Sequence, residues 1–266
     1  MPSLDSARGC YVVRVVYDGP GMAGKTTNLQ KICEIVPATR RSEMYTPAQL
    51  KGRTMFFDWL ELDGPSRSGF QLKLQLISVP GQIERNYRRK PLIEMADVVV
   101  FVCDASPNQM AETLRAFARL RATIKQRKNP VPLVLQVNKQ DVEGAIDPER
   151  MRRRLKLERD VPLVPASAVK NDGVKETLTV ASRLALQVMS TGKLAPMLAE
   201  FQNADALFDH VLTFEDTPHE GPVDVEELHV AAEDVDTESE EAQVHLVARS
   251  IEALEARAKR GAREAT

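Results

Sequence analysis

The stretch Asp18-Gly19-Pro20-Gly21-Met22-Ala23-Gly24-Lys25-Thr26-Thr27 limits what this chain can fold into more than any other. It follows an apolar, β-branched run, Tyr11 to Tyr17, and leads into a segment of helical character from Lys25 to about Val36. Gly19, Gly24, Lys25 and Thr26 fit G-x-x-x-x-G-K-[ST] in the strand–loop–helix setting that the pattern requires. A di- or triphosphate needs several backbone N–H groups aimed at one point. Gly19, Gly21 and Gly24 let the backbone curl that closely, with Met22 and Ala23 between them. The helix that follows adds the positive end of its dipole. Lys25 is expected to reach the β- and γ-phosphates, Thr26 to ligate Mg²⁺, and Thr27 to complete the set of phosphate contacts.

Asn138-Lys139-Gln140-Asp141 follows a second apolar run, Val131 to Val137, and has the form N-K-x-D. Guanine presents an N1–H and a 2-amino group side by side, so one carboxylate, Asp141, accepts both. Adenine offers an acceptor at N1 and no 2-amino group, and would leave that carboxylate unpaired. Asn138 is expected to tie this loop to the phosphate loop, and the Lys139 stem to stack over the base. Further on, Ala166-Ser167-Ala168 follows a short apolar strand. Ser167 and Ala168 stand where a third loop closes over the base, with the Ala168 N–H suited to the guanine O6.

Between and around these motifs the pattern is regular. Thr54 to Asp63 and Phe70 to Val79 have strand character, and the Gly64–Gly69 turn cluster between them makes an antiparallel hairpin. Pro37 to Arg53 reads as a loop. Buried-strand runs at 96–103, 131–137 and 161–164 alternate with helical segments at 108–126, 147–157 and 173–189, and Ile83 to Met95 also reads as helical. Asp147 is placed to cap the helix that begins at Pro148. The expectation is an α/β phosphate-loop fold: a six-stranded, mostly parallel sheet with one antiparallel edge strand and five flanking helices, filling residues 1–193.

Taken together, Gly19–Thr26, Thr54, Pro80-Gly81-Gln82, Asn138–Asp141 and Ser167–Ala168 stand in the order and spacing of the Ras-like small GTPases, over roughly residues 10–193. Within that superfamily, Gly19 to Leu29, Arg53-Thr54-x-Phe56-Phe57-Asp58 and Val79-Pro80-Gly81-Gln82 resemble the bacterial MglA-type gliding-motility and polarity GTPases. The resemblance implies a GTP/GDP switch that uses Mg²⁺, is slow alone, and is accelerated by a Roadblock-type dimeric activator. It also implies roles. Thr54 gives its hydroxyl to Mg²⁺, the Gly81 N–H meets the γ-phosphate, and Gln82 orients the attacking water. Arg53, on the same loop as Thr54, is placed to swing onto the transferring phosphoryl group.

One position departs from the superfamily. The second-switch motif D-x-x-G reads Ser78-Val79-Pro80-Gly81, without its aspartate. Either Mg²⁺ is held more weakly or another carboxylate substitutes, and Asp58, an acid inside an apolar strand, is the candidate. A different class of function is open at this level: a nucleotide-dependent scaffold with little hydrolysis, acting through its acidic C-terminal extension.

That extension differs in composition. From Glu200 to Ala242 there are fifteen acidic residues and no Lys or Arg. Residues 194–214 are expected to form a docked helix, and 215–266 an acidic, largely disordered linker ending in a helix. The tail is a solvated extension that keeps the domain soluble, docks on a basic partner, or folds back over Arg152-Arg153-Arg154-Leu155-Lys156 as an autoinhibitor. A formal charge of −2 argues against nucleic-acid binding. Three scattered cysteines suggest reduced core thiols in a cytoplasmic protein. No run is long enough to span a bilayer and no lipidation signal is present, so a monomer without a direct membrane anchor is expected.

Overall fold

The computed structural model describes residues 3–5, 8–46, 57–67, 70–79, 86–190, 225–227 and 240–264. Strand β1 covers Ser3–Asp5, β2 Cys10–Asp18, β3 Met44–Thr46, β4 Asp58–Arg67 and β5 Phe70–Ser78. Strands β6 (Val98–Asp104), β7 (Leu133–Asn138), β8 (Leu163–Pro165) and β9 (Val225–Glu227) complete the sheet. The helices are α1 (Lys25–Ile35), α2 (Asn86–Glu94), α3 (Met110–Gln126), α4 (Pro148–Leu155), α5 (Val174–Ser190) and α6 (Glu240–Glu264).

The sheet runs β8-β7-β6-β2-β5-β4-β3-β9. Its centre is parallel: β2 pairs with β5 and β6, β6 with β7, and β7 with β8. The hairpin expected from the Gly64–Gly69 turn is present as antiparallel β4–β5, with Asp58 opposite Ser78. Parallel strands buried on both faces need apolar residues at every position, and all seven residues of β6 are buried. Because side chains alternate across a strand, Val98, Val100 and Val102 face α1 and α5, while Val99, Phe101 and Cys103 face the other layer. Leu29, Ile32, Leu178 and Ala181 close the first core. Ile93, Phe117, Leu120 and Met151, from α2, α3 and α4, close the second.

The class matches the expectation, but the sheet is larger: nine strands, with six helices among the described residues. The three additional strands are three residues each, too short to give a periodic signal. Strand β1 exists because β6 meets β2 only from Val15 onward, leaving the edge of Cys10–Val12 for Ser3–Asp5. Strand β3 lies inside the stretch read as loop and pairs with β4, so the antiparallel strand β4 is not the edge. The expected helix at 194–214 lies outside the described residues, and of the linker only β9 and the start of α6 are described.

Helix α6 is too weak to stand alone but does not stand alone. Val247, Ile251 and Leu254 are buried in the second core beside α2. Glu255 accepts from Gln75 at 2.5 Å and pairs with Arg8 at 3.2 Å, and Arg257 lies over the Tyr45 ring. Within the Arg152–Lys156 segment, Arg152 turns inward and donates to the Glu158 and Val161 carbonyls, whereas Arg153, Arg154 and Lys156 are exposed.

Candidate nucleotide site

Helix α4 starts as its sequence demands, with Asp147 accepting from the Arg150 N–H at 2.8 Å. Helix α1 starts differently. Its N-cap is Gly24 at φ 99°, with no side-chain cap and no acidic residue in the first turn. The sequence of α1 thus supplies neither a side-chain cap nor an acid for its first N–H groups, which suits a helix terminus that receives an anion. Two glycines are steric necessities here. A Cβ on Gly19 would strike the Val102 carbonyl, and one on Gly24 would strike the Asn138 amide. Met22 has φ 59° and is 90% exposed, so the crown of the loop faces outward.

Lys25 is buried, and its ammonium donates to the Gly19 carbonyl at 3.2 Å and the Pro20 carbonyl at 2.7 Å. Burial lowers its pKa to about 8, with Asp18 opposing the shift and Arg89 adding to it. Asp18 belongs to β2 rather than to the loop. It is fully buried and ion-paired with Arg89 of α2, which also donates to the Ala116 carbonyl of α3. Sequence reasoning missed this pair, although an acid ending an apolar strand was the available signal.

Thr26 donates its hydroxyl to Asp58 Oδ2 at 2.5 Å. Burial raises the Asp58 pKa, and hydrogen bonds from Thr26, Ser78 and Thr46 pull it back down. Asp58, the first residue of β4, therefore stands beside Ser78, the position lacking the expected aspartate, and also meets the phosphate-loop threonine Thr26. No group of three or more His, Cys, Asp or Glu side chains with metal-binding geometry occurs among the described residues. Mg²⁺ needs none, since it takes one or two protein oxygens together with phosphate oxygens and waters. One hydroxyl and one nearby buried carboxylate fit that demand. Thr54, Arg53, Gly81 and Gln82 lie outside the described residues.

The base side is assembled by Asn138, which is 2% exposed. Its Nδ2 donates to the Ala23 carbonyl at 2.8 Å, and its Oδ1 accepts from the Ala168 N–H at 2.8 Å. The tie to the phosphate loop is as expected. The Ala168 N–H, expected for guanine O6, is given to Asn138. Lys139 takes φ 66° and its ammonium reaches Asp104 Oδ2 at 2.6 Å, which orients its stem at the end of β6 and β7. Asp141 accepts from Ser167 Oγ at 2.6 Å, and that bond holds its carboxyl below the ordinary range. The phosphate loop, Asn138–Asp141 and Ser167–Ala168 thus converge at the carboxyl ends of β2, β7 and β8, where open α/β sheets bind ligands.

This is the site of a phosphate-loop guanine-nucleotide protein, and comparison with known proteins agrees. The model of the ADP-ribosylation factor (Arf) family matches residues 11–184. The mutual gliding-motility protein MglA of Myxococcus xanthus is 34% identical over 182 residues, covering 67% of this chain and 93% of that one. A shorter match, 31% over 116 residues, is to translation initiation factor IF-2 of Synechococcus (strain CC9605), covering 41% of this chain and 10% of that protein. Among solved structures, the Arl6 small GTPase of Trypanosoma brucei with a bound nucleotide analogue superposes with TM-score 0.48 at 21% identity, over 66% of this chain and 98% of that one. The chain belongs to the Arf family of small GTPases, and GTP hydrolysis is the activity that membership implies. No described helix is long and apolar enough to cross a membrane.

Proposed function

We propose that this chain is a GTP/GDP switch of cell polarity or gliding motility, cycling through Mg²⁺-dependent hydrolysis under the control of a Roadblock-type dimeric activator. The observation that carries the reading is the double bond pattern of Asn138, which joins Ala23 of the phosphate loop to Ala168 of the third loop. One side chain thereby makes base recognition and phosphate binding a single unit. The motility assignment rests on the likeness to MglA over 93% of that protein's length.

In this reading Lys25 leaves the Gly19 and Pro20 carbonyls to meet the β- and γ-phosphates, which replace those dipoles with formal charge. The α1 N-terminus and the loop N–H groups receive the remaining phosphate oxygens. Asp141 keeps one oxygen on Ser167 and turns the other to the guanine N1–H and 2-amino group. Thr26 and Thr54 would hold Mg²⁺ directly, with Asp58 in place of the missing second-switch aspartate, and the ion would neutralise charge developing on the phosphates. Gln82 orients water and Arg53 answers the developing charge. The scaffold alternative drew on the absence of an acid at Ser78; the Asp58 carboxylate paired in register with Ser78 speaks against it.

The test is nucleotide binding and turnover in variants. Lys25→Ala should lose GDP and GTP, and Gln82→Leu should bind GTP without hydrolysing it and retain activator and effector proteins on co-purification from cells. Wild-type affinity in Lys25→Ala would sink the reading.

A further inference from the structure

Beneath the phosphate loop, three polar side chains from three elements meet in an otherwise apolar layer. Asn28 of α1, Gln136 of β7 and Thr177 of α5 are all fully buried. Asn28 Nδ2 donates to Gln136 Oε1 at 2.9 Å, and Gln136 Nε2 donates back to Asn28 Oδ1 at 2.8 Å, a closed amide pair. The other Asn28 proton goes to the Gly24 carbonyl at 2.8 Å, and the other Gln136 proton to Thr177 Oγ1 at 2.9 Å. Thr177 then donates to the Gly173 carbonyl at 2.6 Å. Every proton has an acceptor.

The two ends of this chain lie on the two halves of the site. Gly24 immediately precedes Lys25 and caps α1. Gly173 follows the turn in which Ser167, the partner of Asp141, bonds to Asp172 through the backbone. Asn138, two residues along β7 and therefore on the same face as Gln136, makes a parallel tie from the Ala23 carbonyl to the Ala168 N–H. Asn138 directly, and Gln136 through Asn28 and Thr177, thus link the consecutive carbonyls of Ala23 and Gly24 on one side to Ala168 and Gly173 on the other. Stability alone does not call for this. A buried amide pair is worth little more than two apolar side chains of the same shape, whereas its directional bonds fix one geometry.

We infer that Asn28, Gln136 and Thr177 are positioning residues that hold the phosphate loop at a fixed separation from the base-binding loops. The inference rests on the guanine-nucleotide reading above. A ligand gripped at two points gains from a correct span between them, and a wrong span costs affinity only for ligands that bridge both. Loosening the unit should therefore weaken GDP, which spans both halves, and spare pyrophosphate, which occupies one.

The test measures GDP and pyrophosphate affinities of the full chain in wild type, in Asn28→Leu/Gln136→Met and in Thr177→Val. The double variant replaces both amides by apolar groups of similar size, so no buried group is left unpaired. If it does not fold, Thr177→Val, which removes both the bond to Gly173 and the acceptor of one Gln136 proton and so severs the Gly173 end of the chain, carries the same comparison. The expected result is GDP affinity lowered about tenfold or more with pyrophosphate affinity nearly unchanged, and recovery in the swapped pair Asn28→Gln/Gln136→Asn. Equal losses for both ligands, or no loss for either, would overturn the inference. Failure of the wild type to bind GDP would instead overturn the functional reading.

Discussion

Asp58→Asn is the most informative single substitution, because it removes one charge and almost nothing else. Asp58 is 8% exposed, lies 2.5 Å from Thr26 Oγ1, and pairs in register with Ser78. The amide keeps the shape and can still accept from the Thr26 hydroxyl, so the fold should survive. It even escapes the burial that pushes the Asp58 carboxyl upward. What is lost is the charged acceptor near a bound cation. Hydrogen bonds to charged groups are worth about 1.5–3 kcal/mol, which at about 1.4 kcal/mol per tenfold is roughly a 10- to 100-fold weaker hold on Mg²⁺. The assay is release of fluorescent GDP across a Mg²⁺ titration, where the variant's midpoint should move to higher Mg²⁺ by that factor. Moving the charge sharpens the reasoning. Ser78→Asp alone places two carboxylates side by side, and one of them must take up a proton, so little is gained. In Asp58→Asn/Ser78→Asp a single carboxylate returns beside Thr26, and the Mg²⁺ midpoint should recover. A wild-type midpoint in Asp58→Asn would refute the substitution of Asp58 for the missing aspartate.

Three further outcomes follow from the same structure. Lys25, lowered to about 8 by burial, is charged below that pH, and a bound phosphate favours the charged form. Nucleotide affinity should therefore fall as pH rises above about 8, by up to about tenfold per unit, with proton uptake on binding seen by calorimetry in two buffers; the nucleotide-free protein should gain stability over the same rise, because a buried charge is relieved. Asp141→Asn should exchange preference for guanine toward xanthine, whose 2-carbonyl suits an amide donor, and competition between GDP and XDP reads it directly. Ile251→Ala and Leu254→Ala each open a core site worth about 2–5 kcal/mol, but a helix docked at the edge of the domain can lose no more than its docking energy. Chemical denaturation of the double variant should then show less loss than the two single variants combined, whereas full additivity would make α6 part of the cooperative core.

The chemistry of the site was more legible in the sequence than its scaffold. Gly19 to Thr26 and Asn138 to Asp141 are local motifs whose residue types follow from phosphate and guanine themselves, and the structure brings them together. Among the parallel strands, β2, β6 and β7 declared themselves through nearly continuous apolar runs, β5 through its alternation after a turn cluster, and β8 through the short run Val161 to Val164. Strands β1, β3 and β9 did not, because three residues carry no period and their pairing depends on which edges distant strands leave open. Polar residues inside apolar elements were the underused signal. Asp58 stood out in this way, but Asp18, Asn28 and Gln136 carried the same mark, and their partners Arg89 and Thr177 are brought to them only by the tertiary fold. Helix α6 was legible as a helix but not as a docked one, since its buried face meets α2 and its Glu255 meets Gln75, 180 residues away in sequence.

The central claim is that one site reads guanine and cleaves the γ-phosphate. Single-turnover hydrolysis of γ-labelled GTP with Mg²⁺, in the presence of excess ATP, tests both parts at once. Phosphate should be released at a rate that ATP does not alter, and Lys25→Ala should release none. Suppression by ATP, or no release from the wild-type protein with or without a dimeric activator, would contradict the account.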